Sequence, residues 1–322
     1  MKLTIAACLV LLSVLIFWPT SPQKSNETSK LETRKVDRTE TKKRNKRIKT
    51  KPVFESDGYD GPEMVNEIIH QITDRTRGVK QRTKDILALR RMKVTKADEQ
   101  ALMKHLLTPH ELEVYTIKND IIEHLVRYGS DKRNVGAGLL KILRDSNQSR
   151  VMREYVLQYV PEYYQSRWKS NTDWTGIDEE DRQQFNATMW SMTNLTEGSM
   201  AGGALFALFR LSADYQDINK NEVFDKAHEV LIDPSYMNPN RMGAVQILSF
   251  SNKEDYYDTA RQIVLEKQGP VLLQVTAIHT AAKSRVHHKE FHKYLTELSR
   301  GGKDIDPTLK RCAQLTLSKI KK

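Results

Sequence analysis

The residues best suited to chemistry are a histidine cluster, HHKEFH, formed by His287, His288 and His292. On a helix, His288 and His292 at i, i+4 share a face, and such a pair can hold a metal ion. The metalloprotease version needs Glu directly after the first His, and Lys289 stands there instead. Spacing supplies no third ligand, so the cluster is expected to be an exposed helix face and no metal is assigned. Asp217-Ile-Asn219-Lys-Asn221 opens like a calcium loop, but Glu222 takes the glycine position and His228 that of the closing Glu. A helix start explains that run better. The two cysteines, Cys8 and Cys312, have neither zinc spacing nor a disulfide framework. The chain contains no Gly-rich phosphate loop, nucleophile elbow or paired-Cys motif, so no catalytic residue and no cofactor is assigned. Asn26, Asn147, Asn186 and Asn194 lie in N-x-Ser/Thr sequons, which matter only in a secretory setting that glycosylates them.

A second group of candidates is aromatic. Around Ser166–Asp181 the chain carries Trp168, Trp174 and the acids Asp178-Glu179-Glu180-Asp181, with Tyr159, Tyr163 and Tyr164 just before them. Tyr159, Tyr163, Trp168 and Trp174 form a candidate interaction surface, because exposed aromatics anchor interfaces. The competing expectation is that the aromatics pack this segment onto the fold and the acids begin the next helix.

The elements that position these residues are helical. From about Pro62 onward the apolar residues follow helical spacing, beginning with Val65, Ile68, Ile69 and Ile72. One helix type reads Val135/Leu139/Ile142/Leu143 and returns as Val223/Ala227/Val230/Leu231, Tyr256/Ala260/Ile263/Val264 and, less fully, Phe291/Leu295/Leu298. A second type carries a long polar or small residue, a small or β-branched one three later and an apolar one four beyond. Its instances are Lys118/Ile121/Leu125, Arg153/Val156/Val160, Ala201/Ala204/Leu208, Arg241/Ala244/Leu248, Gln274/Ala277/Ala281 and Lys310/Ala313/Leu317. The lead residues of the two types are 18 apart in three pairs and 19 in the fourth, and successive second-type motifs are 35, 48, 40, 33 and 36 residues apart. That period marks stacked helical hairpins, each unable to bury its apolar face alone. Pro109, Pro239, Pro270 and Pro307 fall near second-helix starts, and Asn238, Gly269 and Asp306 are read as the caps before the last three.

The pattern resembles the HEAT-repeat family, including a basic residue ahead of a small one in the second helix (Arg153, Arg241, Lys310). Ala201 and Gln274 depart from the basic position. The resemblance covers roughly residues 96–320 and implies an all-α, right-handed α-solenoid of about six HEAT-like helix pairs over 96–322, with an N-terminal helical cap at 61–95. Such proteins usually act as scaffolds or adaptors. Some HEAT-like proteins that resemble deoxyhypusine hydroxylase hold iron through His-Glu pairs at equivalent repeat positions. Here His110-Glu111 opens a second helix while His228-Glu229 lies inside a first one, so the two are not equivalent.

The N-terminus sets the expected location. Leu3–Trp18 is apolar except for Thr4 and Ser13. It is long for a signal-peptide core and short for a span of about 20 residues. Residues 1–19 are read as a signal anchor, with a cleaved signal peptide as the alternative; Cys8 in Ile5-Ala6-Ala7-Cys8 resembles a lipobox only poorly. Lys24, Lys30, Arg34, Lys35 and Arg38 outweigh Lys2 and favour a cytoplasmic body. The likeness to a bacterial export signal favours a periplasmic or extracytoplasmic one, which is the reading taken. Residues 20–60 are read as a disordered basic linker. Its Lys42–Arg47 cluster is expected to be a solvated spacer, with contact to anionic lipid or nucleic acid as the alternative.

The net charge is +11, and residues 1–51 account for +9 of it with 13 Lys/Arg against 4 Asp/Glu. A nucleic-acid-binding core is therefore not expected. The expected function is that of a non-enzymatic, membrane-tethered scaffold with a protein partner. The alternatives are a HEAT-like metal enzyme using the His clusters and a binder of nucleic acid or anionic lipid through the basic tail. Neither partner identity nor oligomeric state is written in the sequence.

Overall fold

The repeated apolar spacing becomes fourteen α-helices and no strand among the described residues of the computed structural model. The structure describes residues 62–108, 115–129, 132–169, 179–284, 286, 288–302 and 304–320. The segments read as anchor (1–19) and linker (20–60) lie outside it, as do Pro109 and the His110-Glu111 pair. No helix among the described residues is long and apolar enough to cross a membrane.

The helices are α1 (Pro62–Thr73), α2 (Val79–Leu89), α3 (Lys96–Leu107), α4 (Tyr115–Tyr128), α5 (Lys132–Arg144), α6 (Arg150–Lys169) and α7 (Glu179–Met192). They continue as α8 (Met200–Leu211), α9 (Lys220–Ile232), α10 (Asn238–Leu248), α11 (Glu254–Leu265), α12 (Val271–Ala281), α13 (Lys289–Arg300) and α14 (Pro307–Ile320). Each odd-numbered helix packs on the even-numbered one that follows it. The even-numbered helices also pack on one another in unbroken order from α2 to α14. Contact is therefore local in sequence, each pair touching the pairs beside it.

The core follows the recurrent motifs. Val223, Ala227, Val230 and Leu231 of α9 are fully buried, as are Ala244 and Leu248 of α10, and the equivalent positions of the other pairs are sealed in the same way. The basic position of the second helix has a physical role. Arg153 Nε donates to Leu143 O at 2.9 Å, and Arg241 Nε donates to Leu231 O at 2.9 Å. In both cases the acceptor lies ten residues upstream, at the end of the preceding helix, where carbonyls lack helical partners. Arg82 does the same for α1, its Nε reaching Ile72 O at 2.6 Å. The segment read as a cap is thus a helix pair of the same build. Gln274, which breaks the basic pattern, donates Nε2 to Gly269 O at 3.0 Å instead.

Helix ends correct two of the expected caps. Asp306 does cap α14, accepting the Thr308 N–H at 2.7 Å. Asn238 is already the first residue of α10, whose N-cap is Met237. Gly269 adopts φ +68°, which closes the preceding turn, and Pro270 takes the N-cap of α12. Gly301, at φ +76°, is the C-cap of α13. The calcium-like run is a helix start: Asn219 caps α9 by accepting the Asn221 N–H at 3.0 Å.

Candidate functional site

Successive even-numbered helices pack on one another, and the exposed contacts they make change in chemistry along the series. Across α2, α4 and α6 these contacts are charged. Thr83 Oγ1 donates to Asp120 at 3.2 Å, Arg90 reaches Glu123 at 2.9 Å, and Arg127 bridges Glu123 to Glu162, the latter at 3.1 Å. Arg90 also stacks over the Tyr128 ring, 5.4 Å from its centroid. Burial raises the Asp120 and Tyr159 pKa values, while the hydrogen bond to Glu162 raises that of Arg127. These pairs are partly exposed, so each is worth only about 0–1 kcal/mol. Together they knit three helix pairs.

Across α8, α10 and α12 they are aromatic and apolar. Phe206 and Met242 are half-buried, and Phe250 is 42% exposed. Phe209 and Phe250 stack with centroids 5.0 Å apart. Lys283 lies 4.9 Å above Phe250 and donates to Ser249 O at 2.8 Å, capping the end of α10; burial lowers its pKa. Arg210 and Gln165, 2.5 Å apart, join the charged stretch to the aromatic one.

Of the four aromatics singled out by sequence, the structure turns one inward. Tyr163 is 2% exposed; it packs against Gly136 of α5 and edge-on to Tyr164, which in turn contacts Phe185 at 4.5 Å. This position fills the core and offers no surface to a partner. Tyr159 is half-buried on the charged stretch. Trp168 lies within α6, where its side chain is outside the described residues, and Trp174 lies outside them altogether. Glu179, Glu180 and Asp181 form the first turn of α7, where acids complement the helix dipole.

The histidines separate. His288 is the N-cap of α13 rather than part of it, so it does not share a helix face with His292. Its Nε2 sits 3.6 Å from Glu254 and 3.8 Å from Asp258, both on α11. These three ligand types lie within 4.8 Å of one another, which is metal-like spacing that one helix alone could not reveal. Arg261 occupies the position that a cation would take. It pairs with both Glu254, at 3.1 Å, and Asp258. Burial opposes the Glu254 carboxylate, but hydrogen bonds from Ser284 and Arg261 outweigh it and hold its pKa low. Through these contacts the cluster joins α11 to the start of α13. His228 contacts Thr259 at 3.0 Å and the Tyr256 ring, within the α9–α11 packing. Cys312 lies 3.6 Å from His279, but burial raises the thiol and lowers the imidazole, the opposite of an activated thiolate–imidazolium pair.

One buried histidine gives a measurable signature. His124, under the charged stretch, has its pKa lowered to about 4, chiefly by burial and then by Arg90. Its folded pKa is depressed, so the unfolded state binds the extra proton first as pH falls below about 6.5. Stability is full above that value and is lost toward pH 4 at up to ~1.4 kcal/mol per pH unit. Urea unfolding at pH 5 is expected to give about 2 kcal/mol less than at pH 7, a difference that His124→Gln removes. An unchanged difference in the variant would assign the pH dependence elsewhere.

The charged and aromatic stretches of the even-helix face were not singled out by sequence. The signal was present in the side chains nine residues after each lead position: Arg127, Glu162, Arg210, Phe250 and Lys283. No protein-family model matches the chain, and no curated protein matches it in sequence.

Proposed function

We propose that the chain is a non-enzymatic protein-interaction scaffold tethered to a membrane through residues 3–18. In this reading residues 96–322 form a right-handed α-solenoid of about six HEAT-like pairs, with the 61–95 pair as its N-terminal cap. The body lies on the periplasmic or extracytoplasmic side. The partner is a protein that lies along the even-numbered helices, its apolar anchors against Phe206, Met242 and Phe250 and its polar groups toward Arg210 and Glu162.

The observation that carries this reading is Phe250. A large aromatic side chain that is 42% exposed, stacked on Phe209 and flanked by Lys283, sits directly after α10 in the series of even-numbered helices. Rigid aromatics with a neighbouring cation are the residues that dominate protein interfaces. Other apolar side chains are exposed as well, Ile232 among them at 55%, but Phe250 is the one that stacks on a second aromatic ring with a cation above it.

The test is affinity capture of the full chain from solubilised membranes of its own cells. Phe250→Asp is expected to lower recovery of the co-purifying partner at least about tenfold, since loss of one anchor costs about 2 kcal/mol. Ile232→Asp, an equally exposed apolar position on α9, is expected to leave recovery unchanged. Equal recovery with both variants, at equal thermal stability, would remove the even-helix face as the binding surface.

A further inference from the structure

The basic charge of the folded part is concentrated in one place. Residues 74–93, which comprise the α1–α2 turn, α2 and the turn after it, hold eight Lys/Arg against two acids, Asp74 and Asp85. The structure sorts these cations by role. Arg82 is buried and bonded to the end of α1. Arg77 pairs with Asp85 at 3.1 Å, and Arg90 with Glu123 of α4 at 2.9 Å. Lys80, Lys84 and Arg91 are exposed. With Leu87, Lys80 and Lys84 fall within about 60° of one another around the helix axis, at 100° per residue, and Arg91 stands in the turn that follows α2. The buried residues Arg82, Ile86 and Leu89 lie on the opposite side.

Leu87 is 47% exposed in the middle of this stripe, and Val79 and Met64 are exposed nearby. Among the described residues α2 belongs to the first helix pair. Its main packing neighbours are α1 and α4. A helix that ends a stack would ordinarily turn a polar, mixed-charge face to water. The apolar face of this one is buried, and what it offers a surface is cations around one exposed leucine, an arrangement suited to anionic head groups.

We propose that the Lys80/Lys84/Leu87/Arg91 stripe docks onto an anionic lipid bilayer, the cations at the head groups and Leu87 among the upper acyl carbons. The inference rests on the membrane-tether reading above. It adds that the body is held against the surface rather than swinging free of it. In sequence, the stripe begins 29 residues after Lys51, the last cation of the basic segment. Each Lys or Arg close to an anionic leaflet gains about fivefold in partitioning, and the gain fades beyond a Debye length. A nucleic acid would also attract the cations. Leu87 contributes nothing to a phosphate contact, and this favours lipid.

The test places a fluorophore at Leu87→Cys in the full chain carrying Cys8→Ser; Cys312 is buried. The protein is reconstituted in phosphatidylcholine vesicles with or without phosphatidylserine, each containing a quencher on the lipid. Quenching is expected only with phosphatidylserine and is expected to fall as salt is raised. Lys80→Glu/Lys84→Glu/Arg91→Glu should lower the quenched fraction at least about tenfold. Reversal of Arg311 and Lys319, exposed cations of α14 at the other end of the chain, should leave it unchanged. Equal quenching in both vesicle types, or an equal loss from the α14 reversals, would overturn the proposal. So would a response to duplex DNA but not to phosphatidylserine, which would assign the stripe to nucleic acid. Flotation with phosphatidylcholine alone reports the tether separately. A chain that fails to float defeats the tether reading, while one that floats with α2 unquenched defeats this inference only.

Discussion

Asn240→Ala is expected to lower unfolding stability by about 3 kcal/mol, moving the urea midpoint with little change in slope. Asn240 is fully buried in the first turn of α10. Its Nδ2 donates to Thr196 O at 2.8 Å and to Leu195 O at 3.3 Å, and its Oδ1 accepts the Gly202 N–H at 3.1 Å. One side chain thereby straps the α7–α8 turn and the start of α8 to α10. Two neighbours reinforce the strap: Met237 N–H donates to Thr196 O at 2.9 Å, and the Tyr236 hydroxyl donates to Thr193 O at 3.1 Å. Alanine leaves donor and acceptors facing a space that water cannot readily supply, so the desolvation cost remains without its compensation.

Asn240→Asp makes the sign of the effect testable. The carboxylate keeps the acceptor for Gly202 but turns its second oxygen toward backbone carbonyls. Its folded pKa must rise above the unfolded value of about 3.9. The variant's deficit is then smallest below that pH and grows as pH rises through the folded pKa. Urea unfolding of both variants at pH 4 and pH 7 checks the pair. An Asn240→Ala cost under about 1 kcal/mol would show that the strap is replaceable.

The helix pairs were legible because each depends on spacing within some 20 residues, and apolar spacing is what burial selects. The 18-residue offset from Val135 to Arg153 and from Val223 to Arg241 is a single geometry repeated. The basic residue looked like a family habit until its Nε was seen to meet a carbonyl ten residues upstream. That interval was itself in the sequence, running from the last core apolar residue of one helix to the guanidinium of the next. It identifies Arg82 after Ile72 as well. The 62–93 segment escaped the pattern because Asp85 stands where other repeats place a small or β-branched residue, and it does so because Arg77 pairs with it.

The sites were less legible for a different reason. Glu254 and Asp258 on α11 meet His288, the N-cap of α13 some 30 residues on, and Arg261 pairs with both carboxylates. His288 and His292 are four apart as a shared face requires, yet α13 begins one residue too late to include His288. Tyr159 and Tyr163 are also four apart on one helix. One is half-buried and the other fills the space over Gly136, a glycine on a different helix. Pattern gives a residue's side of its own helix. Exposure depends on the neighbour, which only the packing reveals.

Gly243→Val is expected to cost about 3 kcal/mol or more, because at this crossing no side chain can give way. A Cβ at Gly243 would stand 2.8 Å from the Cα of Gly202 and 3.2 Å from its carbonyl carbon. A Cβ at Gly202 would in turn meet Asn240 O at 3.2 Å and the Gly243 Cα at 3.3 Å. The two backbones touch, so relief requires α8 and α10 to separate. Separation would loosen the fully buried Ala204, Ala207, Ala244 and Val245. Glycine inside a helix costs up to about 1 kcal/mol relative to alanine, so the close approach must outweigh that penalty twice.

Gly203→Ala is the internal comparison. Its Cβ would meet Leu157 Cδ1 at 3.2 Å, the mobile end of a side chain, and the gain in helix propensity should leave the variant near neutral. Gly202→Ala combined with Gly243→Ala should cost less than the sum of the two, since the first substitution already forces the helices apart. Phe206 and Phe250 are carried by these same two elements, on α8 and directly after α10. Gly243→Val should therefore weaken partner capture as well as stability, whereas Gly203→Ala should weaken neither. A Gly243→Val protein that unfolds with the wild-type midpoint would show that the two backbones are not in contact. The even-helix face would then lack the rigid centre on which the proposed binding surface depends.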